Sequence, residues 1–164
     1  MNEKTYEKIT RPIYDHLHGV KILKTVNNII TRFVYSIYPI VLIILALNRD
    51  IRFWRVLLTP GISFVIVSVF RNYLNAPRPY EVLDIIPIIN KDTKGKSFPS
   101  RHVFSIFIIA MAFYYISVPM GLVLMFLGIV LGVTRVLGGV HFPKDVIAGA
   151  IIGILCGIFG FFII

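Results

Sequence analysis

The stretch TRVLGGVHFPKD, residues 134–145, sets an arginine, a histidine, a lysine and an aspartate between two apolar runs. His141 and Asp145 are four residues apart, a separation at which a carboxylate can meet a ring nitrogen, although Pro143 keeps His141 itself out of the helix. A carboxylate on one nitrogen raises the basicity of the other, the arrangement of a histidine nucleophile or base. A plainer reading stays open, with Asp145 a first-turn acid favoured by the helix dipole and His141 a loop residue. In RNYLNAPRP, residues 71–79, Arg71 and Arg78 are seven residues apart. That is close to two helical turns, about 10 Å along one face, if the helix runs to Ala76 before Pro77 stops it. The two guanidinium groups then either share a cavity or snorkel to the interface. In FPSRHVFSIF, residues 98–107, a serine precedes an apolar run as an N-cap does. Ser100, Arg101 and His102 therefore stand where free N–H groups and the helix dipole attract an anion. Ser105, one turn further in, is as readily bonded to its own helix.

The arginines Arg71, Arg78, Arg101 and Arg135, two histidines, one aspartate and a helix-capping serine make a poor site for magnesium or calcium, which need several oxygen ligands. They make a good site for phosphate, so neither metal nor cofactor is expected. Two histidines with different partners point to acid–base or covalent chemistry, with arginines neutralising charge on the phosphoryl oxygens.

These residues must be positioned by membrane helices. The 164-residue chain is 57% hydrophobic and only 15% charged, with a mean hydropathy of +0.82, which predicts an all-α, multi-pass membrane bundle. Five apolar stretches, about 30–47, 56–74, 102–117, 119–136 and 145–164, are candidate spans, the third and fourth joined by a tight hairpin at Pro119. Residues 1–29 carry Ile13, Leu17, Val20, Leu23 and Val26 at near-helical spacing and read as an amphipathic interfacial helix before a membrane domain of residues 30–164. His16 and His18 belong to that segment as interfacial residues. The N-terminus has neither an apolar core nor a cleavage site, so no cleavable signal peptide is expected. Threading the spans places the N-terminal segment, a long loop at 75–101 and the 135–144 turn on one membrane face. Asp145, Gly149, Gly153 and Gly157 recur every four residues, a small-residue strip that lets a helix approach and aims the carboxylate into the bundle. Gly121, Gly128 and Gly132 lead towards Arg135 in the same way. The lone Cys156 reads as a packing residue. A formal charge of +9 in a bilayer protein points to lipid phosphates as partners and away from nucleic acid.

In order, the three segments resemble the signature motifs of the type 2 phosphatidic acid phosphatase family, which shares its core with vanadium haloperoxidases. RNYLNAPRP matches K-x-x-x-x-x-x-R-P with Arg71 for lysine, PSRH matches P-S-G-H with Arg101 for glycine, and TRVLGGVHFPKD matches S-R-x-x-x-x-x-H-x-x-x-D with Thr134 for serine. The resemblance implies metal-independent release of phosphate from a lipid phosphate or diphosphate through a phosphohistidine. It makes His141 the nucleophile, Asp145 its orienting acid and His102 the general acid, with Arg71, Arg78, Ser100, Arg101 and Arg135 on the phosphoryl group. Arginine for lysine keeps the charge in a planar fork; arginine for glycine adds bulk and charge and bears on substrate size and rate. The alternative is a non-catalytic lipid-phosphate binding or transport protein on the same bundle.

The positive-inside rule, with nine Lys and Arg on the polar face against three opposite once Arg78, Arg101 and Arg135 are set aside, predicts a cytoplasmic site. The resemblance implies an outward one, and both stay open.

Overall fold

The computed structural model describes residues 1–90 and 93–163; Lys91 and Asp92, inside the expected loop, and Ile164, at the end of the last expected span, lie outside the described residues. Among the described residues the chain is all helix and loop. The helices are α1 (Glu3–Asp15), α2 (Gly19–Leu47), α3 (Phe53–Leu74), a short α4 (Pro79–Val82), α5 (Arg101–Ile116), α6 (Val118–Leu137) and α7 (Pro143–Ile158), continued by a π-helical segment, Phe159–Ile163.

Four stretches, Gly19–Leu47, Phe53–Val82, Val118–Leu137 and Pro143–Ile163, are long and apolar enough to cross a bilayer, which makes this a multi-pass membrane protein. The third expected span behaves differently. At 16 residues, α5 is about 24 Å long, short of a hydrocarbon core of ~30 Å. Every residue from Val103 to Phe113 is buried, as befits a helix that is apolar all round. It is the axis of the bundle, with α6 and α7 packed along it and α2 and α3 closing the remaining sides. Sheathed in protein, it has no need to match the lipid thickness.

The glycine strip of α7 sets the closeness of that packing. A Cβ on Gly149 would lie 2.7 Å from the Ser100 carbonyl oxygen, and one on Gly153 would lie 2.8 Å from that of Phe104. The backbone of α7 therefore rests directly on α5, and one turn before Gly149 the Ser100 amide donates to the Asp145 carbonyl at 2.8 Å. Sequence spacing thus becomes the contact that joins two of the three motifs.

Residues 1–29 form two pieces rather than one helix. The chain breaks after Asp15, and α2 then runs unbroken from Gly19 through the first span, because no breaker separates its surface portion from its apolar portion. The shorter piece, α1, is docked on the polar face. Its Tyr6 and Thr10 are buried, the Tyr6 hydroxyl donates to the Leu137 carbonyl at 3.2 Å, and Glu3 accepts the Asp84 amide at 3.1 Å. Burial pushes the Tyr6 hydroxyl up to about 12.

Candidate active site

Asp145 opens α7, and its Oδ2 accepts the Phe142 amide at 3.0 Å, as a first-turn acid does. The same oxygen lies 3.6 Å from His141 Nδ1, with both side chains 1% exposed. The aspartate therefore both caps the first turn of α7 and meets the histidine. Between the pair stands Ser97, a residue with no spacing or periodicity to mark it in the sequence. Its hydroxyl donates to Asp145 Oδ2 at 2.6 Å, and Oγ is 3.3 Å from His141 Nδ1. The only available signal was position: Ser97 lies three residues before Ser100, in the same stretch.

Ser97 is held by the loop, and the loop by arginines. Arg71 and Arg78 are 7% and 2% exposed and both reach the Lys96 carbonyl, so they turn inward together and do not snorkel. Arg71 donates to the carbonyls of Pro99 and Lys96. Arg78 donates through Nε to Gly95 at 3.0 Å, through Nη1 to Val140 at 3.1 Å and through Nη2 to Lys96 at 3.4 Å. The carboxylate of Glu81 accepts the Arg78 amide at 2.7 Å and the Gly95 amide at 2.9 Å. Gly95 has φ +63, and a Cβ there would sit 2.2 Å from Asn75 Oδ1, so a side chain at this point would strain the loop. The outcome is a short loop segment clamped against the turn that carries His141.

Arg135, at the end of α6, is 5% exposed; its Nη2 lies 3.5 Å from Thr31 Oγ1. Its Nε and the hydroxyl of Ser100 are buried and have no hydrogen-bond partner among the described residues. Ser105 Oγ likewise has none, so the bond to its own helix is not made.

The structure brings together Arg71, Arg78, Ser100, His141 and Asp145, with Arg135 joined through the bond from the Val140 amide to its carbonyl at 3.3 Å. The aromatic contacts of the other two expected residues lie on the α2–α3 side. The Arg101 guanidinium lies 5.6 Å from the centre of the Phe64 ring, and the half-buried His102 ring is 6.3 Å from that of Tyr35. Arg101 is exposed.

Three buried guanidinium groups face one buried carboxylate. Backbone carbonyls orient Arg71 and Arg78 and the Thr31 hydroxyl meets Arg135, all without neutralising the charge, and an uncompensated buried charge is costly. A phosphate group, carrying about −1.5 to −2, matches the excess.

The PAP2 superfamily model matches residues 52–164. The bacitracin transport permease protein BcrC of Bacillus licheniformis is 30% identical over 104 residues, 61% of this chain and 51% of that protein. The chain thus aligns with about half the length of this relative. Undecaprenyl-diphosphatase BcrC of Bacillus subtilis (strain 168) is 25% identical over 155 residues, 92% of this chain and 79% of its own. Among solved structures, LpxE of Aquifex aeolicus aligns with a TM-score of 0.75 and 27% identity, over 97% of this chain and 93% of that one. A transmembrane PAP2-type phosphatidylglycerolphosphate phosphatase of Bacillus subtilis aligns with a TM-score of 0.74 and 18% identity, over 96% and 83%, a likeness of fold. The matched region contains all three motifs and the network they form, and the chain belongs to the PAP2 superfamily.

Proposed function

We propose that the chain is a membrane lipid phosphatase that removes the terminal phosphoryl group of a lipid phosphate or diphosphate through a phosphohistidine at His141. The observation that carries this reading is the buried group of His141, Ser97 and Asp145 set within an excess of guanidinium charge.

With Nδ1 facing Ser97 and Asp145, Nε2 is assigned as the nucleophile. Its lone pair forms the N–P bond as the bond breaks from the terminal phosphorus to the leaving oxygen, the lipid ester oxygen of a monophosphate or the bridging oxygen of a diphosphate, and the departing electron pair takes a proton from His102. Nδ1–H, held by Ser97 and Asp145, keeps the ring oriented and spreads the positive charge that develops on it. The free N–H groups of Arg71, Arg78 and Arg135 and the Ser100 hydroxyl take the phosphoryl oxygens. Water then attacks phosphorus, His102 accepts its proton, and the N–P electrons return to Nε2 as phosphate departs. The donor set around His141 holds one buried carboxylate, so no step is routed through a divalent metal.

The diphosphate form of the substrate is supported by the relative named undecaprenyl-diphosphatase. The relative named as a transport permease favours a second reading, lipid-phosphate binding without catalysis. Phosphate release from a panel of lipid phosphates and diphosphates, by purified protein in detergent with chelator, separates the two. Release that survives chelator and is lost in His141→Ala is the expected result; tight binding with no release by folded protein would favour the second reading.

A further inference from the structure

In NNIITR, residues 27–32 of α2, two polar pairs are each spaced four residues apart and so point to different sides of the helix. Asn28 and Arg32 are exposed, as is ordinary where a span reaches the polar edge of a bilayer. Asn27, only 4% exposed, and the half-buried Thr31 turn inward instead, onto the end of α6. Asn27 Oδ1 lies 3.5 Å from the Thr134 hydroxyl, and Thr31 Oγ1 lies 3.5 Å from Arg135 Nη2. Four residues further along the same face, the Tyr35 ring is 6.3 Å from that of His102. One strip of α2 thus follows the catalytic residues. We propose that Thr31, with Asn27 one turn before it, is a positioning residue for phosphoryl transfer, holding the Arg135 guanidinium in the orientation that meets the phosphoryl oxygens. The proposal rests on the phosphatase reading for the role of Arg135, and it brings in a helix that precedes the region of the family match, residues 52–164.

Hydrogen-bond polarity carries the assignment. A hydroxyl has one proton to give, and Thr31 gives it to the Asn27 carbonyl at 2.7 Å. Towards α6 its oxygen therefore offers lone pairs, the partner that suits a guanidinium, which has donors alone. That same bond selects between the two rotamers open to threonine in a helix, so the acceptor is fixed in place. The Thr134 hydroxyl is likewise committed to its own helix, at 2.8 Å from the Leu131 carbonyl. Arg71 and Arg78 are oriented by loop carbonyls; among the described residues, Arg135 has Thr31 in that place. With Nη2 on Thr31, the buried and unbonded Nε is left for the phosphoryl group. A neutral hydroxyl directs the cation without cancelling its charge, which stays available to the phosphate.

Thr31→Val keeps the shape of the side chain and removes the acceptor. The expected result is a fall of about tenfold in kcat/KM for a lipid phosphate, with Thr31→Ser restoring most of it. Thr25→Val, at an exposed position of α2, leaves kcat/KM as it is. A double-mutant cycle separates positioning from a merely structural role. If Thr31 acts through Arg135, Thr31→Val has no further effect on the activity left in Arg135→Gln. The same tenfold fall in both backgrounds, or full kcat/KM in folded Thr31→Val, overturns the proposal. A readout independent of turnover is the binding of a non-hydrolysable lipid phosphonate, weakened about fivefold by Thr31→Val and not weakened further by it in Arg135→Gln. That pattern in a protein that releases no phosphate from any lipid would count against the phosphatase reading and not against the role of Thr31. In such a protein, phosphonate binding that Thr31→Val leaves unchanged overturns the proposal.

Discussion

Around His141 the neighbouring groups are already engaged with one another: Asp145 Oδ2 takes bonds from Ser97 and Phe142, and Arg78 spends three donors on backbone carbonyls. At the start of α5 the opposite holds. Arg101 rests on the Phe64 ring with its guanidinium making no hydrogen bond among the described residues, and the Ser100 hydroxyl is unbonded there too. The first region has a fixed geometry; the second carries donors that are unengaged among the described residues. Preorganisation belongs where charge develops during reaction, and open donors belong where binding energy is realised.

Breaking the assembled region has the largest expected effect. Asp145→Asn keeps an acceptor for the Phe142 amide but removes the charge that supports a protonated His141, so kcat falls by roughly 10³ or more, with KM little changed, in steady-state assays on a folded protein. Breaking the open region acts on binding. Arg101→Gln raises KM by about tenfold, and Arg101→Lys, which keeps the charge but not the fork, restores part of that loss. The reverse pattern, a kcat defect at Arg101 and a KM defect at Asp145, would undo the comparison.

Ser97→Ala sharpens it. Asp145 and His141 remain, but the hydroxyl between them is gone, and a reduction of about tenfold in kcat is expected together with a shifted pH profile of kcat/KM. Ser97→Thr, which retains a hydroxyl, recovers activity if it fits. A purely structural serine would lower stability and leave the pH profile in place.

The smallest effect is at the cover formed by α1. Tyr6→Phe removes one hydrogen bond and costs about 1 kcal/mol, read as faster proteolysis or hydrogen exchange of residues 3–15. The Tyr6 hydroxyl ordinarily ionises near 10.0 and is pushed up to about 12 when docked. The docked state thus holds its proton more tightly than the undocked one, and docking is complete below pH 10 and weakens as pH rises from about 10 to 12. Tyr6→Phe removes that dependence.

Much of this was legible in the residues themselves. Charged and polar groups inside apolar runs mark most of the residues that the structure brings together, and four-residue glycine spacing signals a close helix contact, which the structure places between α5 and α7. What stayed hidden was whatever depends on loop conformation. Ser97 looks like any loop serine until the clamp of Arg71, Arg78 and Glu81 fixes it beside His141. Nothing in RNYLNAPRP says that its arginines grip backbone carbonyls. The short length of α5 was visible, but hydropathy does not distinguish a helix buried in protein from one buried in lipid. The break after Asp15 was missed because amphipathic spacing continues across it.

The central claim is that His141 carries the phosphoryl group. Rapid acid-free quenching of the enzyme during turnover of a terminally labelled lipid phosphate or diphosphate, followed by peptide mass spectrometry under alkaline conditions, tests it most directly. A phosphoryl adduct is expected on the peptide containing His141, accumulating when His102 is replaced by Ala and a substrate with a good leaving group is supplied, and absent in His141→Ala. Turnover with no adduct at His141 under those conditions, or an adduct on another residue, would contradict it.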